Sequence, residues 1–177
     1  MEMNIIVTTL AMSFALCIAG CAQQPPEQTA KPAPDYDAIV ETLTQQHYEY
    51  IQAWMDLDID KIGEFWAHDP DITIWGPDER KRVQGWDGPN GVKAWYEKAF
   101  SGIAQCDFKI HDLMIKVSKD GTAAVLTLYV ENDIIDKEGN PGKITPRVTI
   151  VKELRDGRWK QIHGDATYSI AEIRAME

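Results

Sequence analysis

The chain is short of cysteine, of positive charge and of long apolar runs, and each shortage excludes something. Three cysteines in 177 residues (Cys17, Cys21 and Cys106) cannot staple a disulfide-dense scaffold. The four histidines are scattered, with no H-E-x-x-H and no cysteine pair, so no metal site and no cofactor are expected. Lys and Arg number 18 against 28 Asp and Glu, leaving a net charge of -10. Such a surface repels phosphate backbones, which excludes nucleic acid as the expected partner. The longest apolar run, Ile5 to Ile18, has 14 residues, whereas a membrane-spanning helix takes ~20. There is no G-x-S-x-G nucleophile elbow. The glycine-rich stretch Gly85 to Gly91 lacks the Lys-Ser/Thr of a phosphate loop. Asp56, Asp58 and Asp60 begin like a calcium loop, but Lys61 stands where glycine is needed and Ala67 where glutamate is needed.

What is there begins with a targeting segment. A 14-residue apolar run is the length of a signal-peptide h-region. It ends in Ile18-Ala19-Gly20-Cys21, which resembles the lipobox of bacterial lipoproteins. The resemblance implies cleavage after Gly20, acylation of Cys21 and a membrane attachment through that lipid. The segment before the run, Met1-Glu2-Met3-Asn4, departs from the pattern in having no Lys or Arg. Residues 21–35 follow as a Pro-, Gln- and Ala-rich linker with four of the nine prolines, too poor in apolar residues to build a core. Ala22, rather than Asp, follows the cysteine. By resemblance to sorting in Gram-negative bacteria, this implies the outer membrane, facing the periplasm. Residues 36–177 remain for one domain, and 44% hydrophobic with 26% charged residues suits a globular one.

Within that domain helices come first and strands last. Tyr36, Ile39, Val40, Leu43, His47, Tyr50, Ile51 and Trp54 recur at spacings of mostly three and four, which predicts a long amphipathic helix. A second helix follows Asp58, with Asp58 or Asp60 as its cap. Residues 71–75 alternate like a strand, and a third helix spans residues 92–100. Four strand-like segments then cover residues 106–117, 122–135, 143–154 and 159–170, separated by glycine-containing turns. The order predicts an α+β fold: helices packed on a strongly bent, mainly antiparallel sheet, as a cone-shaped barrel.

This order of elements resembles the nuclear transport factor 2-like fold, which includes SnoaL-like polyketide cyclases and ketosteroid isomerases. Arg147-Val148-Thr149-Ile150-Val151 is similar to the family's R-x-T-x-V strand. Trp159-Lys160-Gln161-Ile162-His163-Gly164-Asp165 is similar to its terminal W-K-I-V-H-x-H, with Asp165 where a second histidine is common. The resemblance covers residues 36–170 and implies dimerisation through the convex face of the sheet. Val125 and Tyr129 on one strand face, with Leu126, Leu128 and Val130 on the other, suit a sheet covered on both sides.

Alternation also nominates a site. Arg147, Thr149 and Val151 share a strand face, as do Trp159, Gln161, His163, Asp165 and Thr167. If both faces turn inward, a guanidinium, an imidazole and a carboxylate converge in a cavity walled by Trp54, Trp66, Trp75 and Tyr129. Plainer roles stand beside this one. Arg147 and Asp165 can form a structural ion pair, and His163 can be a core histidine. His47 is either a core residue or a polar group at the pocket mouth, and the tryptophans serve a core whatever the function. Cys106 reads as a buried, inert thiol. Two functions follow. One is the binding of a small apolar or acidic molecule, with Arg147, Thr149, Tyr129, Trp54, Trp66 and Trp75 as contacts. The other is an isomerase, cyclase or dehydratase with His163 and Asp165 as acid and base. A protein-interaction module is the third reading.

Overall fold

The computed structural model describes residues 32–76 and 81–169. The segment expected to carry a signal peptide, Cys21 and most of the linker lies outside the described residues. The described residues from Ala33 onward form one compact unit.

Helix α1 (Tyr36–Met55) opens on Asp35, whose carboxylate accepts from the Ala38 N–H at 3.1 Å. Its buried face is Leu43, His47, Tyr50, Ile51 and Ala53, the stripe that the spacing predicts. Burying Leu43 and Ile51 contributes ~1.5–3 kcal/mol each. Tyr36, at the exposed start, instead sends its hydroxyl to the Lys119 carbonyl at 2.9 Å. Helix α2 (Ile59–Phe65) is capped by Asp58, which accepts from the Lys61 N–H at 2.9 Å. Helix α3 (Val92–Ser101) starts at Gly91, where a Cβ would come within 2.4 Å of the Asp87 carbonyl oxygen.

The strands are β1 (Thr73–Trp75), β2 (Val83–Gln84), β3 (Ile103–Val117), β4 (Ala123–Asp136), β5 (Pro141–Ile144), β6 (Arg147–Arg155) and β7 (Arg158–Thr167). They form one open sheet in the order β2-β1-β7-β6-β4-β3, with β5 also paired to β4. Pairing is antiparallel except between β1 and β7. The α+β class is therefore as expected, but the sheet is bent and not closed into a barrel. Two details differ from the sequence reading. Residues 143–154 are two strands, because Pro146 has no N–H to give to a ladder; its carbonyl accepts from Val130 instead. The two-residue β2 was not expected, and its length leaves no periodicity to read.

Helices and sheet enclose a single apolar cluster in which Leu43, Ile62, Trp66, Tyr96, Leu126 and Ile150 are fully buried. Its inner sheet face is Ala124, Leu126, Leu128 and Val130 on β4, with Ile150 and Lys152 on β6. The opposite face of β4 shows Val125 and Tyr129 to solvent, at 40% and 41% exposure.

Candidate functional site

Register decides which side chains face the core. On β6, Ile150 and Lys152 are buried, so Arg147, Thr149 and Val151 lie on the outer face. Arg147 is exposed, opposite Tyr129 on β4 and Thr167 on β7. On β7 the pairing steps from Val151↔His163 to Lys152↔Gln161, which makes Ile162 the extra residue of a bulge. The bulge breaks the alternation. Trp159 and Gln161 point inward, and beyond it Gly164 takes the inward place, its hydrogens aimed at Ile74 and Trp66.

Several expectations are corrected by this geometry. Arg147, Thr149 and Tyr129 stand on the outer face of the sheet, away from the inner face that carries Ile150 and Lys152. His163 is turned outward by the bulge and is half-buried, its Nδ1 bonded to Thr73 Oγ1 at 2.7 Å. Asp165 sits opposite Thr149 on one side and Trp75 on the other. Trp66 is completely buried and donates its Nε1–H to Tyr96 Oη at 3.0 Å, which makes it core and not wall. Arg147, His163 and Asp165 do share one face of the sheet, but it is the outer face, so they do not converge in the cavity. Trp54, Trp75 and Asp165 do border a cavity.

That cavity measures about 340 Å³ and lies between α1, α3 and the inner sheet face. Ligand pockets generally span ~300–1,000 Å³. Its walls are aromatic and aliphatic: Tyr50, Ile51 and Trp54 from α1, Trp95 from α3, Phe108 from β3, and Val130, Val148 and Ile150 from the sheet. Trp54 holds the wall together, with ring centroids 5.0 Å from Phe100, 5.6 Å from Phe108 and 6.1 Å from Trp95. Beneath it, Tyr50 Oη and Tyr96 Oη are 2.7 Å apart.

Three side chains with unpaired polar atoms interrupt this apolar lining. His47, Asn132 and Gln161 all border the cavity. Among the described residues neither ring nitrogen of His47 has a hydrogen-bond partner, nor do Asn132 Oδ1 and Gln161 Oε1, and all these atoms are buried. His47 is 1% and Gln161 2% exposed. An unpaired buried polar group costs ~1–3 kcal/mol, so three together in one cavity are an incomplete hydrogen-bonding set. Burial, and secondarily the Lys152 ammonium, hold the His47 ring down to about 3, so it is neutral. No Lys or Arg is among the lining residues, and Asp165 is the one carboxylate there. Of these three residues, His47 was visible in the sequence as a polar residue on an apolar helix face. Gln161 and Asn132 carried no comparable signal.

A second, more open cleft of about 560 Å³ is polar, between Trp66, Ala67, His68, Asp69 and Arg155, Asp156, Arg158 and Lys160. Of its charges, Arg155 is paired with Asp69 and Glu153, and Lys160 donates to the Glu64 carbonyl. Cys106 is buried, free and hydrogen-bonded to the Trp54 carbonyl at 3.4 Å, its thiol pushed up by burial. Among the described residues no three His, Cys, Asp or Glu side chains stand close enough to share a metal ion. No helix of the described residues is long and apolar enough to cross a membrane.

Comparisons with known proteins place this architecture. Among curated proteins, none matches the chain. A nuclear transport factor 2-like superfamily protein from Salmonella enterica is similar at a TM-score of 0.67 and 16% identity, over 75% of this chain and 92% of that one. A dehydratase candidate of the same fold family from Streptomyces avermitilis is similar at 0.65 and 16%, over 76% and 98%. The association domain of C. elegans CaMKII is similar at 0.60 and 14%, over 74% and 96%. At such identities the likeness is one of fold. The sequence model of the SnoaL-like domain matches residues 47–162, well over half of the chain. The chain belongs to the SnoaL-like domain family.

Proposed function

We propose that this protein binds a small, largely apolar molecule in the cavity between α1 and the inner sheet face. The observation that carries the reading is the set of unpaired polar atoms on His47, Asn132 and Gln161 in an otherwise apolar cavity of about 340 Å³. A ligand that supplies their partners recovers desolvation already spent in folding. The lining is mostly aromatic and aliphatic, so the body of the ligand is apolar.

Binding is favoured over catalysis by the basicity of the site. An efficient general base titrates near the working pH, whereas His47 is held down to about 3. His163 and Asp165, the acid–base pair nominated by sequence, keep a common strand face, but the bulge at Ile162 turns that face outward, opposite Val151 and Thr149 and away from the inner sheet face. The Pro-rich segment and the lipobox-like Ile18-Ala19-Gly20-Cys21 support a lipid-anchored protein of the cell envelope. It presents the domain on a tether, at the outer membrane facing the periplasm in a Gram-negative cell.

The test is a titration of the full chain with N-phenyl-1-naphthylamine, an uncharged probe that fluoresces in apolar surroundings. The expected result is saturable enhancement in wild type and its loss in Ile150→Trp, whose added ring fills the cavity. Circular dichroism melts verify that the variant folds. No saturable enhancement in wild type, or equal enhancement in the filled variant, would remove the binding reading.

A further inference from the structure

Lys152 is a buried charge without a counter-charge. It stands on the inner face of β6, two residues from Ile150, and is the cross-strand partner of Gln161 on β7. Its ammonium donates to Gln46 Oε1 at 3.3 Å and lies 5.9 Å from the centre of the Phe65 ring, which leaves N–H groups over. Among the described residues no carboxylate pairs with it, and the charge that acts on it is another cation, Lys160.

His47 and Gln161 connect this charge to the cavity. Both are buried and both border the cavity. The Lys152 charge acts on the His47 ring, and Gln161 shares the Lys152 rung of the sheet. Lys152 itself is not a lining residue; the two neutral side chains stand in the wall beside it. The neutral imidazole has one N–H to give, and neither of its nitrogens is paired among the described residues. The Gln161 amide turns either its oxygen or its NH2 to a ligand by a half-turn of its last torsion. Its Nε2 would stand 3.0 Å from a Cβ at Gly164, a cavity residue with no side chain to cover it. Asp165, the one carboxylate of the lining, belongs to the outer strand face, on the rung of Thr149 and Trp75.

Resting on the ligand-binding reading above, we propose that the cavity takes a monocarboxylic acid with an apolar body, its carboxylate set against His47 and Gln161, where Lys152 supplies the opposite charge. A carboxylate brings acceptor oxygens and no donor, which suits an imidazole N–H and an amide N–H. One ammonium balances one negative charge, whereas a phosphate monoester brings ~1.5–2 and leaves an excess. An alcohol meets the same two neutral groups but leaves the ammonium unpaired. Folding has already desolvated Lys152, so the acid meets a cation stripped of water. A buried ion pair is favourable only when hydrogen bonds satisfy its remaining groups, and His47 and Gln161 provide them.

Octanoate and octan-1-ol, equal in chain length, make the test. Each is titrated into the full chain while the fluorescence of Trp54, Trp75 and Trp95, which border the cavity, reports its filling. At pH 7 octanoate is expected to bind about tenfold more tightly, although octan-1-ol is the more hydrophobic of the two. Lys152→Met removes the charge and keeps an unbranched apolar chain. It is expected to weaken octanoate at least about tenfold and to change octan-1-ol by less than about twofold. A second measurement needs no variant. In wild type, octanoate affinity should fall about tenfold from pH 7 to pH 9, as an ammonium held down to about 8 discharges, while octan-1-ol does not respond. His47 stays neutral over that range. Octan-1-ol binding as tightly as octanoate would overturn the acidic ligand. So would an octanoate preference that survives in folded Lys152→Met, an octanoate affinity that is flat from pH 7 to pH 9, or octanoate that does not bind. Each of these outcomes leaves small-molecule binding itself standing, provided the naphthylamine probe binds.

Discussion

Tyr50 Oη and Tyr96 Oη stand 2.7 Å apart beneath the cavity, and the Trp66 indole donates to Tyr96 Oη at 3.0 Å. This short chain of hydrogen bonds ties α1 to α3 and to the residue that ends α2. Both tyrosines are fully desolvated, and burial raises both hydroxyls above the ordinary phenol range. The chain therefore stays protonated and neutral at any physiological pH. It forms a satisfied polar floor under a cavity whose other polar groups are unsatisfied.

Tyr96→Phe removes the central oxygen and leaves the Trp66 N–H and the Tyr50 hydroxyl without it. Stability is expected to fall by ~2–4 kcal/mol, about one orphaned group at each side. Urea unfolding of Tyr96→Phe, Tyr50→Phe and the double variant checks this. The double variant should cost less than the sum of the singles, because each already breaks the shared bond. Strict additivity would show that the bond contributes nothing.

The imidazole of His47 makes the fold sensitive to acid. In the unfolded chain the ring takes a proton near 6.5, but in the folded chain only near 3. Between those values the unfolded state binds more protons, so stability falls as pH drops through that window, by up to ~1.4 kcal/mol per pH unit. From pH 7 to pH 5, wild type should lose ~2 kcal/mol more than His47→Leu. Equal losses in the two proteins would mean that the ring is not held neutral.

How much of this was legible beforehand divides along physical lines. The stripe from Leu43 to Trp54 and the Asp58 cap are local, and periodicity with capping chemistry reveals them. The meander was legible from its glycine turns. The break at Pro146 was legible in principle, since proline cannot donate to a ladder. The bulge at Ile162 was not, because an ordinary isoleucine in an alternating run carries no mark of being the extra residue. That one residue turned His163 outward. For β6, alternation paired Arg147 with Thr149 and Val151 correctly, but nothing local says which of two faces meets the helices. The side carrying Ile150 and Lys152 was the buried one, despite its lysine.

Lys152 is 1% exposed, with Nζ 3.3 Å from Gln46 Oε1 and 5.9 Å from the centre of the Phe65 ring. Burial, and then the nearby Lys160, hold its ammonium down to about 8. At pH 7 it is charged and poorly solvated, so Lys152→Met should stabilise the fold by ~1–3 kcal/mol. The sign of the pH dependence checks the cause. Wild type should gain stability as pH rises from about 8 towards 10.5, where the unfolded chain alone still binds the proton, and the advantage of the variant should shrink. A variant no more stable than wild type at pH 7 would show that the ammonium is adequately solvated.

A lipid on Cys21 predicts the behaviour of the whole protein in cells. Wild type should fractionate with membranes and show the mass of a chain that starts at Cys21 and carries acyl groups. Cys21→Ala should abolish the modification. A variant that fractionates and migrates as wild type does would remove the anchor, since the domain, at a net charge of -9 after loss of the first twenty residues, is not drawn to anionic headgroups.

The outer sheet face should be the surface of a homodimer. Met114 is 53%, Val125 40% and Tyr129 41% exposed, all on strands at the centre or edge of the sheet. They sit on successive rungs: Val125 beside Val151 and His163, Met114 beside Thr127 and Thr149, and Tyr129 beside Arg147. Apolar residues thus alternate with Arg147, Thr149 and His163, the residues that the sequence nominated for a cavity. A two-fold axis through this face would pair each patch with its own copy, and the polar residues would then find partners across the interface. A stable contact needs ~800 Å² per partner, which a sheet of this length can supply. Sedimentation at ~10 μM should therefore show a dimer, well above the Kd of a standard interface. Val125→Lys should shift it to monomer without lowering the Tm by more than a few degrees, because the position is already exposed. A monomeric wild type at that concentration would leave the face uncovered and return Arg147, Thr149 and His163 to solvent.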